Sequence, residues 1–156
     1  MTSVRVAEFP RDRATVTALL SAYLRTTEAE KAEHGLVVAD APLPDRYARE
    51  IADPDAALAG RRVLIATHDG VDCGLVVVSD AGDAAEISRF WTTPTVRGRG
   101  IGAALLSAAT NLAGRPVRLS VWSWREPAIR LYRRYGFEVV PSWDDRPDLV
   151  CLERHE

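Results

Sequence analysis

Arg97-Gly98-Arg99-Gly100-Ile101-Gly102, followed by Ala103, has the residue types and spacing to hold a polyanion. Glycine lets backbone N–H groups approach a ligand with no side chain in the way. A helix starting at this point adds the positive end of its dipole, and Arg97 and Arg99 add two full charges. Both elements that must position the loop are legible. Ala85 to Trp91 reads as an apolar strand, and Ile101, Leu105, Ala109 and Leu112 recur on one helical stripe. Strand, loop and helix start together suit a pyrophosphate.

Three ligand classes use such a junction. A phosphate-binding P-loop ends in Gly-Lys-Ser/Thr, and the single lysine here, Lys31, is remote from the glycines. The dinucleotide fingerprint is matched by Gly98, Gly100 and Ala103. Pro94, Thr95 and Val96, however, separate strand from glycine, and Arg118 to Trp122 offers no carboxylate for a ribose. A nicotinamide enzyme is therefore disfavoured, and the coenzyme A pyrophosphate remains.

Arg97-x-x-Gly100-x-Gly102 resembles the acyl-CoA motif of the GCN5-related N-acetyltransferase (GNAT) superfamily. A second block, Ala128-Ile129-Arg130-Leu131-Tyr132-Arg133-Arg134-Tyr135-Gly136-Phe137, is similar to the segment that follows that motif in the family. The interval between the blocks fits one helix and one strand. Arg125 stands where the family usually has Asn, which bears on a helix cap and a cofactor contact.

The resemblance implies an acyl-CoA-dependent N-acyltransferase that moves an acetyl group from acetyl-CoA to a primary amine, without a metal. The acceptor would be a small molecule or a peptide. It implies that Trp91, Thr92, Thr93, Arg97, Gly98, Arg99, Gly100, Gly102, Ala103 and Arg125 contact the cofactor, with the Thr92 N–H as oxyanion donor. Trp91 by itself reads equally as a sheet residue. Tyr132 would be the acid at the leaving sulfur and Glu86 the base at the amine. An amine near pKa ~10 is mostly protonated at neutral pH and must lose a proton to attack, while the departing thiol is near ~8.5. Glu86 also reads as a solvated carboxylate at a strand start. The acceptor site would be bordered by Ser142 to Asp148, where Trp143, Asp144, Asp145 and Asp148 suit a cationic amine or form a solvated acidic turn. The other reading is a non-catalytic acyl-CoA-binding or regulatory domain, which retention of Tyr132 disfavours.

Composition agrees with one soluble domain over residues 1–156. The hydrophobic fraction is 47% and the net charge −2, with no basic run that would suggest nucleic acid. Two cysteines form neither a disulfide framework nor a metal cluster. No apolar run approaches the ~20 residues of a membrane span, and no signal peptide is evident, so a cytoplasmic location is expected. A homodimer is compatible with the chain but no residue specifies one. Periodicity and turn residues predict an α/β (α+β) fold in the order β-α-α-β-β-β-α-β-α-β-β, with helices flanking a mixed, mostly antiparallel sheet. Asp69-Gly70 should turn a hairpin, and Pro54 to Gly60 should be a turn-rich connection.

Overall fold

Two runs rich in Val, Leu and Ile form the middle of the sheet, β2 (Arg62–His68) and β3 (Val71–Ala81). The computed structural model describes residues 1–155. Asp69 and Gly70 both have positive φ, 50° and 81°, as a tight two-residue hairpin turn requires. The remaining strands are β1 (Thr2–Val6), β4 (Ala84–Thr92), β5 (Val117–Trp122), β6 (Glu138–Val140) and β7 (Leu149–Arg154). They make a seven-stranded sheet in the order β1-β2-β3-β4-β5-β7-β6. Its β4–β5 pairing is parallel and the others are antiparallel.

The helices are α1 (Arg13–Glu33), α2 (Asp45–Ala52), α3 (Pro54–Ala57), α4 (Ile101–Ala113) and α5 (Glu126–Arg134). Element order follows the sequence pattern with two additions, one of them a 3-10 turn at Pro94–Val96. The connection after Asp53 closes a single helical turn, α3, because Pro54 supplies a helical φ where no N–H is needed.

Alternation along β3 divides the core in two. Val76 and Val78 point to one face, where they meet Leu105, Leu106 and Ala109 of α4 and Tyr132 of α5. Leu75 and Val77 point to the other, against Val16, Leu19 and Leu20 of α1 and against Trp91. Each such fully buried aliphatic side chain contributes about 1.5–3 kcal/mol. Cys73 and Cys151 are both buried free thiols.

The sheet is interrupted at its parallel pair. β4 and β5 pair only at Ala85–Val117 and Glu86–Arg118, although β5 pairs with β7 along its whole length. Further along, β4 bulges: Arg89 and Phe90 stand opposite the single Val76 between the Ser88–Val77 and Trp91–Leu75 pairs. Arg89 takes φ 55° at the bulge. An extra residue bends and twists its strand. Beyond Glu86 the two strands part into a V-shaped gap, so β4 has a free edge inside the sheet.

Candidate functional site

The glycine loop lies at the open end of the gap. Gly98 and Gly100 have φ 83° and 80°, a conformation that L side chains rarely adopt, and a Cβ at either would meet nothing within 4 Å. These two glycines therefore set the backbone, and the space in front of them is open. Gly100 is the residue before α4, and no side chain caps the helix start. The first N–H groups of α4 are left for water or a ligand. Gly102 also meets a packing requirement. A Cβ there would come within 3.4 Å of Leu131 Cδ2 and Phe90 Cζ. Its bare Cα serves the close packing of α4 against α5 and β4. Ala103 follows in the first turn, half-buried.

Arg97 is folded back over β4. Its Nε donates to the Thr92 carbonyl at 3.0 Å, and its guanidinium lies 4.8 Å from the Trp91 ring centroid. Burial and the charge of Arg125 lower its pKa, though a guanidinium stays charged. Arg99 is exposed. The Thr93 N–H bonds Cys73 O on β3 at 2.8 Å. Successive N–H groups of a strand point to opposite sides, so the Thr92 N–H faces the gap.

Tyr132 closes the gap from the α5 side. Its ring packs on Phe90 at 5.6 Å and Phe137 at 5.8 Å. Burial pushes the phenol above its ordinary pKa, and Tyr23 of α1 reinforces this while Arg125 opposes it.

Glu86 and Arg125 are both held by other side chains of the protein. Glu86 is at the closed vertex of the V, six residues from Thr92, which is roughly 20 Å along a strand. One oxygen accepts from Arg118 Nε at 3.2 Å. Arg125 ties α1 to the start of α5: its Nε donates to Glu30 at 2.8 Å and its Nη2 to the Thr27 hydroxyl at 2.7 Å. The Trp124 indole donates to the same Glu30 oxygen at 2.7 Å.

The sequence reading missed the wall facing α1 and α2. Arg89, thrown out by the bulge, forms a two-pronged pair with Glu50 of α2 at 2.9 and 2.7 Å. Lys31 pairs with Glu28 at 2.6 Å and lies over the rings of Tyr47 and Trp122. The one available signal was Arg89 itself, a charge inside an apolar strand. In the β6–β7 loop one of the three aspartates is paired. Asp144 accepts two hydrogen bonds from the Arg146 guanidinium, at 3.0 and 2.8 Å, and a third from its backbone N–H. These hold its carboxyl down at about 2. Trp143 is covered by the Arg118 guanidinium at 5.1 Å.

The defining pattern of the "Acetyltransferase (GNAT) domain" matches residues 59–139, more than half of the chain. The chain belongs to the GNAT family. An uncharacterised N-acetyltransferase of Methanocaldococcus jannaschii is 37% identical over 79 residues, which is 46% of this chain and 35% of that protein. The chain thus spans about a third of that relative's length. PaiA N-acetyltransferase of Thermoplasma acidophilum, solved with coenzyme A, superposes with TM-score 0.67 at 17% identity, covering 100% of this chain and 99% of that one. The Salmonella typhimurium protein yncA, solved with its cofactor acetyl-CoA, gives TM-score 0.66 at 21% identity over 99% of this chain and 93% of that one. Both superpositions show that this chain, with its mostly antiparallel seven-stranded sheet flanked by helices, shares their fold.

Proposed function

We propose that this chain is an enzyme that transfers an acetyl group from acetyl-CoA to the primary amine of a small molecule or peptide by direct attack. The observation that carries the reading is the free edge of β4 opening onto an uncapped helix start, with a buried phenol beside the gap. The residues suit the cofactor. Gly98 and Gly100 leave room for a pyrophosphate, the first N–H groups of α4 face it, and Arg97 keeps donors beyond the one given to Thr92 O.

Acetyl-CoA supplies an activated thioester carbonyl. A C–N bond forms as the C–S bond breaks, the amine proton passes to solvent, and the sulfur leaves with the bonding pair. The Thr92 N–H donates to the carbonyl oxygen as negative charge grows there. Tyr132 stays protonated at neutral pH, because burial raises its pKa. Its hydroxyl is the group to protonate the departing sulfur, and the phenol regains its proton from solvent. Glu86, at the vertex and tied to Arg118, lies too far from Thr92 to take the amine proton directly. Arg125 acts on the cofactor site by its charge and by fixing the start of α5.

Release of free CoA in the presence of an amine panel tests the proposal, with mass spectrometry of the acetylated product. Tyr132→Phe should lower kcat by about 10²-fold, at the low end of what a positioned proton donor contributes, and leave the acetyl-CoA KM within about threefold. No acetylated product from any amine would overturn the reading. An unchanged kcat with chemistry rate-limiting would remove Tyr132 from it.

A further inference from the structure

We infer that the acceptor carries a carboxylate close to its amine, as an amino acid does. The inference rests on the transferase reading and names its substrate class. The wall of the gap that faces α1 and α2 is formed by elements distant in sequence. Arg89 comes from the bulge of β4, Trp122 from the end of β5, Lys31 from α1, Arg46 and Tyr47 from α2, and Arg146 from the β6–β7 loop. They converge on two rings. Around Tyr47 lie Lys31 Nζ at 5.5 Å and the guanidinium carbons of Arg46 at 4.6 Å and Arg89 at 5.5 Å. Over Trp122 lie Lys31 Nζ at 5.3 Å and the Arg146 guanidinium at 5.8 Å. Lys31 stands over both rings, so both clusters share one space.

A binding site for a cationic group would show the opposite arrangement, with open aromatic faces and unpaired carboxylates. Here the faces of Tyr47 and Trp122 are already covered by the protein's own cations. The nearby carboxylates are also committed: Glu28 to Lys31, Glu50 to Arg89, Asp144 to Arg146. Arg46 has no carboxylate partner among the described residues and donates to the Tyr47 hydroxyl at 2.6 Å. Of these four cations Arg46 alone lacks a carboxylate in contact among the described residues. Arg89 and Arg146 each use Nε and Nη2 on their acids, so Nη1 of each stays available. A guanidinium offers five N–H donors in a planar fork suited to a carboxylate. A ligand carboxylate would therefore find one uncompensated charge and several idle donors. A second ammonium would find none of its requirements.

The test compares each of the twenty L-amino acids with its α-carboxamide and its decarboxylated amine, with acetyl-CoA saturating. At least one amino acid should show kcat/KM tenfold or more above both of its neutral-ended counterparts. Arg46→Gln, an exposed change that spares the fold, should raise the KM for that amino acid about tenfold while the acetyl-CoA KM stays put. Carboxamides or decarboxylated amines that react as well as the acids would overturn the inference and leave the transferase reading intact. Were no amine of any kind acetylated, that reading would fail, and calorimetry on the CoA-saturated protein would still decide this one. Amino acids binding at least tenfold tighter than their amides would uphold the inference; equal binding, or none, would sink it.

Discussion

The two faces of the gap are made of different material. On the α4–α5 face the ligand surface is backbone: glycines at positive φ, an uncapped helix start and the free edge of β4. On the α1–α2 face it is side chain, with Lys31, Arg89 and Arg146 each bound to a carboxylate and stacked over a ring. A backbone surface serves any ligand with the same phosphate geometry. A surface of paired charges is matched to one acceptor chemistry and is free to vary while the first stays constant. On the proposed function, the cofactor half and the acceptor half of the reaction are assigned to these two sides.

The largest expected effect belongs to the backbone face. Gly100→Glu places a carboxylate in the open space before α4 and forces a side chain into φ 80°. Thermal stabilisation by CoA should disappear, with affinity reduced at least 100-fold. Gly100→Ala separates the causes. It incurs only the left-handed strain of about 1–2 kcal/mol, without added charge, and should retain most CoA binding. If Gly100→Glu still answers to CoA as the parent does, the backbone face is not the cofactor face.

The same division explains what could be read from the sequence. The glycine loop and the block around Tyr132 are local in sequence, and their physics is positional: glycine where φ is positive, an apolar stripe where a helix packs. Strand order, the Asp69-Gly70 hairpin and the helix after Gly100 follow from the same local rules. The acceptor wall does not. Arg89 pairs with a residue 39 positions away, and Arg125 with one 95 away. No periodicity predicts such partners. Asp144 misled for the same reason in miniature, because its neutraliser, Arg146, lies two residues away but only the folded turn brings them together. Glu86 was legible at the start of its strand, but its partner Arg118 was not, since the β4–β5 pairing brings the two together.

A smaller effect is expected on the side-chain face. Glu50→Gln keeps the shape of Glu50 but removes the charge that compensates Arg89, whose side chain is only 21% exposed. Charged hydrogen bonds are worth about 1.5–3 kcal/mol, so unfolding free energy should drop by about 2 kcal/mol. An amine acceptor's KM should change several-fold, and CoA affinity should not. Equal losses for both ligands would show that the two faces are one coupled unit, which urea titration and paired binding isotherms would reveal.

The smallest effect lies at the margin of that face, where Asp72 joins three elements. Arg5 of β1 donates to it at 2.9 and 3.2 Å, the Thr67 hydroxyl of β2 at 2.7 Å and the Thr15 hydroxyl of α1 at 3.3 Å. The Arg5 hydrogen bonds lower the Asp72 pKa, against the effect of burial. Asp12 is lowered as well, first by the Glu8 N–H and then by Arg5. A carboxyl depressed in the folded state stabilises the protein fully above its unfolded pKa, near ~3.9, and loses that contribution as pH falls through the folded value. The parent should therefore lose stability below about pH 4, with no corresponding change between pH 6 and 8. Asp72→Asn should be less stable at pH 7 by about 1 kcal/mol, a modest figure because Arg5 is 36% exposed and water screens the pair. Its stability should also decline less steeply below pH 4, so that the two unfolding curves converge in acid. CoA binding at pH 7 should match the parent, since no cofactor-side group touches Asp72. Parallel acid profiles for parent and variant would mean that Asp72 titrates alike folded and unfolded, and that the Arg5 contact contributes nothing to the α1 side of the molecule.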